Sequence, residues 1–130
     1  MSLRIVIETI PHNAQRYDTV GDWFWDGDTL QIRVSEMSNW KREFLVAYHE
    51  LFESAWCKAE GVSQKDVDKF DTEYEKNRKD DDESESGDSL KAPYRVGHQI
   101  ASAIEKLACV ELGEDWVFYD EEVANLSHDG

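Results

Sequence analysis

The sequence predicts an α+β fold, in which a small N-terminal antiparallel sheet packs against about three helices. Three observations carry that prediction. Apolar residues alternate through the first third, an Asp-Gly step divides them, and helical spacing takes over after residue 38. With 130 residues, 40% of them hydrophobic and including five Trp, five Tyr and five Phe, the chain has material for one core and reads as a single domain.

Leu3, Ile5 and Ile7 alternate with Val6 on the opposite side, which predicts a strand that Pro11 ends. The stretch from His12 to Asp22 is polar and reads as a loop. Trp23 to Trp25 and Leu30 to Val34 flank Asp26-Gly27-Asp28, so a hairpin is expected at 26–28. Ser38 is expected to cap a helix from about Asn39 to Glu60, with Gly61 at its C′ position. On that helix an apolar arc of Phe44, Tyr48, Leu51, Phe52, Ala55 and Ala59 is expected to face the core, with His49 and Glu53 at its margin.

A second helix opens at Ser63 and presents Val67, Phe70 and Tyr74 before ending near Asn77. Residues 78–91 are dominated by acids and serines, and are expected to form a disordered loop within the domain. A third helix is predicted from about Arg95 to Leu112, with Ile100, Ile104, Leu107 and Ala108 inward and Gly113 as its stop. Trp116 to Tyr119 is expected as a short strand or turn, with the chain fraying from Asp120.

A net charge of −15 argues against nucleic acid and anionic lipid as partners, and favours a basic protein. No apolar run approaches a membrane span and no charged-then-apolar leader follows Met1, so a cytoplasmic protein is expected. Cys57 and Cys109 both fall in predicted helices, which suggests a reducing compartment rather than a disulfide framework.

The chemistry concentrates in Tyr48-His-Glu-Leu-Phe-Glu53. His49 and Glu53 are four residues apart, so a helix projects them from one face at the spacing of a metal-ligand pair, with Glu50 beside the first. The donors suit a divalent metal such as zinc, manganese or iron. If an ion is held there, Glu50 is placed to take a proton from its water, which suits amide, ester or phosphoester hydrolysis. The competing reading is a solvated i,i+4 pair contributing a few tenths of a kcal/mol.

Two strands leading into a His-Glu-x-x-ligand helix resemble the zincin-type metallohydrolases over roughly residues 28–60, with Glu53 in place of the second His and Trp56 and Ala59 where some members extend the motif. The resemblance implies His49 and Glu53 as metal ligands, Glu50 as catalytic base, Leu30 to Val34 as the edge strand lining the cleft, and His98 or Asp71 as third ligand. The wider pattern of Ile10-Pro-His12, the His49 motif and Ala92-Pro-Tyr94 before His98 also resembles short uncharacterised phage and prophage proteins. Two further readings stay open. The acidic surface could serve a non-enzymatic interaction protein that binds a basic partner. Glu50-x-x-Glu53 with Asp68-x-x-Asp71 resembles the paired acidic motifs of magnesium-dependent nucleotide pyrophosphohydrolases.

Overall fold

A computed structural model describes residues 2–79 and 84–128. Strand β1 (Arg4–Ile10) leads through a short 3-10 turn at His12–Ala14 to β2 (Gly21–Asp26) and β3 (Thr29–Ser35). The helices are α1 (Trp40–Glu60), α2 (Gln64–Lys76), α3 (Arg95–Glu111) and α4 (Trp116–His128), with a second 3-10 turn at Ser86–Asp88 ahead of α3. The α+β class therefore stands, with a three-stranded sheet and four helices.

The hairpin forms where the Asp-Gly step places it, β2 pairing antiparallel to β3 from Gly21 opposite Val34 to Asp26 opposite Thr29. Gly27 adopts the positive φ of 60° that the tight turn requires. The sheet is not wholly antiparallel, however. Its order is β1-β3-β2, and β1 runs parallel to β3 from Arg4 beside Thr29 to Ile10 beside Ser35. The segment between β1 and β2 crosses one end of the sheet from edge to edge and leaves a space between them that β3 fills. Leu30, Ile32 and Val34 are buried while Ile5 and Ile7 are exposed, so the most apolar strand takes the centre. Leu30 to Val34 is thus the central strand rather than the cleft edge that the resemblance implied, and β2 is the edge strand beside the helices' polar cluster.

Helix α1 starts one residue later than expected. The Asn39 side chain, not Ser38, accepts the backbone N–H of Arg42 at 3.1 Å, while Ser38 Oγ donates to Glu122 of α4 at 2.7 Å. Gly61 closes α1 in the left-handed region, and Ser63 caps α2 by accepting from Asp66 N. The expected buried face of α1 is the reverse of the one found. Leu45, Val46, His49, Glu53 and Cys57 are buried, whereas Phe44 is 49% exposed and Ala55 and Ala59 lie at the surface. Glu53 stands about 180° round the helix from Phe44 at 3.6 residues per turn. Polar side chains that find partners inside the fold have displaced apolar ones from the core face.

On α3 the same exchange occurs. Gly97, His98, Ala101, Glu105 and Cys109 face inward, while Ile100 and Leu107, expected inside, are exposed. The segment expected as a short strand or turn is instead the start of α4, whose first turn is capped by Asp115 Oδ1 accepting from Phe118 N at 3.0 Å. Tyr119 is buried, and Trp116, Val123 and Leu126 pack on the common core with it. Arg42 of α1 pairs with Glu114 at 3.1 Å and with Glu122 at 2.7 Å, which ties α4 down. Of the expected acidic loop, residues 80–83 lie outside the described residues; 86–88 form the 3-10 turn, with Gly87 buried. Among the described residues no helix is long and apolar enough to cross a membrane. Both cysteines are free and buried.

Because Asn39 rather than Ser38 satisfies the first turn of α1, Asn39→Ala is expected to cost about 1 kcal/mol. Ser38→Ala removes an exposed bond and is expected to cost less. Denaturant unfolding of the two variants reads the difference, and a larger loss for Ser38→Ala contradicts the cap assignment.

Candidate metal centre

Three electron-pair donors meet at one point between α1 and α3. Helix spacing brings His49 and Glu53 onto one face of α1, and α3 lies alongside with His98 opposite them. His49 Nε2 lies 3.1 Å from Glu53 Oε2 and 3.2 Å from His98 Nδ1, and His98 Nδ1 lies 3.0 Å from Glu53 Oε2. Ligand pairs on a tetrahedral ion with bonds of about 2.1 Å stand about 3.4 Å apart, and neighbouring ligands on an octahedral one about 3.0 Å. The three edges fall in that range, so these buried groups could hold a metal ion.

Each donor is held from behind. His49 Nδ1 hydrogen-bonds Glu105 Oε1 at 2.7 Å, and Tyr119 OH donates to the other oxygen of Glu105. With its Nδ1–H engaged, the neutral His49 ring turns the Nε2 lone pair toward the convergence point. Trp23 Nε1 donates to Glu53 Oε1 at 3.3 Å, which leaves Oε2 for the shared position. His98 Nε2 faces Glu85 Oε2 at 3.1 Å and Asp88 Oδ1 at 3.5 Å. Carboxylate, imidazole and ion in sequence is the arrangement that orients metal-bound histidines.

Without an ion the convergence point demands protons. Burial opposes charge on His49, but its hydrogen bonds to Glu105 and Glu53 outweigh this and carry its pKa well above the ordinary value. Burial likewise opposes charge on His98, and Glu53 and Glu85 raise it to about 10. Burial alone would raise Glu53, yet the two imidazoles hold it at about 2. The cluster thus wants positive charge at its centre, from bound protons or from a cation.

Glu50 lines the same cavity, which encloses about 210 Å³, and makes no hydrogen bond among the described residues. Desolvation, with Glu53 nearby, pushes its pKa well above the carboxylate range. A Cβ on Gly21 would come within 2.6 Å of Glu50 Oε1, so the bare backbone of β2 makes the room this carboxyl occupies. Asp71 also lines the cavity but does not join the converging atoms. Its Oδ1 accepts from Tyr94 OH and from Ser86 Oγ at 2.9 Å, and its Oδ2 from Tyr17 OH at 3.1 Å. Burial raises Asp71 to about 6 against the pull of those hydroxyls. The paired acids Glu50, Glu53, Asp68 and Asp71 form no common cation site among the described residues, and Asp68 is bound by Arg16 at 3.1 Å.

Glu105, Glu85, Trp23 and Tyr119 have no motif to announce them. The one available signal is that His98 and Glu105 stand seven residues apart and so share a face of α3. Trp23 reads from alternation as strand packing alone, and its indole N–H serves Glu53 only because β2 is the edge beside α1. Compared with known proteins, the chain matches no family model, no curated protein and no solved structure.

In metal-free protein, His98 raised from 6.5 to about 10 contributes stability that is fully present below pH 6.5 and is lost as pH climbs toward 10. Glu53, lowered from 4.5 to about 2, contributes above pH 4.5 and loses its contribution as pH falls toward 2. Urea unfolding of chelator-treated protein is expected to weaken across the alkaline range, and His98→Gln is expected to flatten that limb. An unchanged slope in the variant rules the pairing out.

Proposed function

We propose that this chain is a zincin-like metal-binding protein that holds a divalent ion, zinc foremost, on His49 Nε2, Glu53 Oε2 and His98 Nδ1, and uses it for hydrolysis. The observation that carries the reading is the convergence of those three atoms within 3.2 Å of one another, with Glu105 behind one imidazole and Trp23 behind the carboxylate. Two His and one Glu form a donor set that catalytic zinc sites use, with the carboxylate here on the first helix and the second His supplied by α3. On this reading Glu53 in place of a His is a permutation of the ligands, since His98 restores the set. The phage-type kinship stays part of the proposal and rests on the sequence pattern alone.

When bound, the ion supplies Lewis acidity toward a water and toward a carbonyl or phosphoryl oxygen. Glu50, which lines the cavity beside these donors and makes no hydrogen bond among the described residues, would take a proton from the attacking water and give it to the leaving group. His49 and Glu53 are held in place by Glu105 and Trp23, so the site costs little reorganisation on loading. The acidic-interaction reading draws on the net charge of −15 and leaves this buried convergence without a task.

Metal analysis of gently purified protein is expected to give one ion per chain, lost in His49→Ala, Glu53→Ala and His98→Ala. Glu50→Gln is expected to keep the ion and to lose hydrolysis of a general peptide or ester substrate by at least about 100-fold. Glu105→Gln is expected to weaken metal binding by about 10- to 100-fold in calorimetric titration. Protein that takes up neither zinc nor manganese nor ferrous iron sinks the proposal. Selective retention of iron redirects it, because the same donor set serves oxygen-activating iron.

A further inference from the structure

Resting on the metal site proposed above, we propose that Glu85, Asp88 and His98 Nε2 form a second, outer cation position that captures the ion and hands it to the inner one through the His98 ring. Glu85 Oε2 and Asp88 Oδ1 lie 3.1 and 3.5 Å from His98 Nε2, and one ligand atom from each of the three groups falls within 4.8 Å of the others. Glu85 and Asp88 side chains are 51% and 57% exposed, whereas His98 is 5% exposed. The outer position therefore opens to solvent on its carboxylate side and reaches the interior on its imidazole side.

The independent observation is at Nε2 itself. This buried nitrogen has no hydrogen bond of acceptable geometry, although a carboxylate oxygen lies 3.1 Å away. The contrast with His49 is direct, because Glu105 makes a proper hydrogen bond to His49 Nδ1 at 2.7 Å. Two carboxylates grouped around an unsatisfied imidazole nitrogen, rather than one aligned with its N–H, are arranged as ligands about a point. Gly87 fixes the arrangement. A Cβ there would come within 2.3 Å of the His98 ring, so only a glycine lets the 86–88 turn lie this close to the imidazole, with Glu85 just before it and Asp88 at its end.

A neutral imidazole carries one lone pair and one N–H. With the ion at the outer position, Nε2 ligates and the proton sits on Nδ1, where Glu53 accepts it. With the ion at the inner position, Nδ1 ligates and the proton sits on Nε2, toward Glu85. Between the two states one proton leaves Nδ1 and one binds Nε2, which changes no total charge, so the two positions are occupied in turn. Exposed carboxylates at a cleft mouth raise the local cation concentration and the capture rate, which is the work assigned to the outer pair.

The test is stopped-flow uptake of Co2+ by metal-free full-length chain, followed by the visible cobalt spectrum. Glu85→Gln combined with Asp88→Asn is compared with Asp26→Asn combined with Asp28→Asn, which removes the same charge at the exposed hairpin. At saturating cobalt, loading is expected to slow about tenfold in the first pair and to keep the native rate in the second, each protein still taking up one ion per chain. A native rate in Glu85→Gln/Asp88→Asn, equal slowing in the hairpin control, or two ions bound at once overturns the outer position while leaving the inner site standing. A native rate with lower final affinity reduces Glu85 to a support for His98 and overturns it too. No cobalt spectrum from the native chain removes the inner site itself, and this inference with it.

Discussion

The burial of Glu53 is the constraint on which the rest of the structure depends. An ionised carboxylate inside a protein is tolerated only when paired and hydrogen-bonded, and Glu53 finds its partners on two helices and a strand. His49 comes from its own helix, His98 from α3 and Trp23 from β2, so satisfying one carboxylate sets the mutual placement of α1, α3 and the sheet edge. Removing any partner leaves charge buried without compensation, which is far costlier than losing a surface pair.

That demand explains why both helices turn their polar sides inward. His49 and Glu53 take the core face of α1, His98 and Glu105 take that of α3, and Phe44, Ile100 and Leu107 are left outward. The core is completed by β3, whose Leu30, Ile32 and Val34 are buried, and by Tyr94 and Tyr119, which carry hydroxyls to Asp71 and Glu105. Apolar packing and the polar cluster are therefore one layer, and the cavity opens where they meet. Gly21 and Gly87 both line that cavity, and a side chain at either would strike Glu50 or His98.

Much of the local structure is legible in the chain. The hairpin at Gly27, the Gly61 terminus, the Ser63 cap and the span of α3 follow from turn chemistry and capping, which act over a few residues. The parallel pairing of β1 was not legible, because alternation shows that a strand exists and says nothing of which neighbour it takes. Helix α4 is not legible although Asp115 offers a cap, since Trp116 to Tyr119 taken alone fits a strand or a helix equally. The buried face of α1 is hidden for a different reason: hydrophobicity counts His and Glu as surface residues, whereas His49 and Glu53 are each paired inside.

By itself the sequence determined the pieces of the site that lie within one helix. The i,i+4 spacing of His49 and Glu53 and the adjacent Glu50 are consequences of helical geometry alone. Only the tertiary structure decided between His98 and Asp71 as the group that joins them, gave His49 and Glu53 their supports in Glu105 and Trp23, and brought Glu85 and Asp88 to the far edge of His98. The physical reason is range. Helix periodicity fixes neighbours within two turns, whereas contacts 30 to 56 residues apart, such as Trp23 with Glu53 and His49 with Glu105, exist only once elements have packed to satisfy a buried charge.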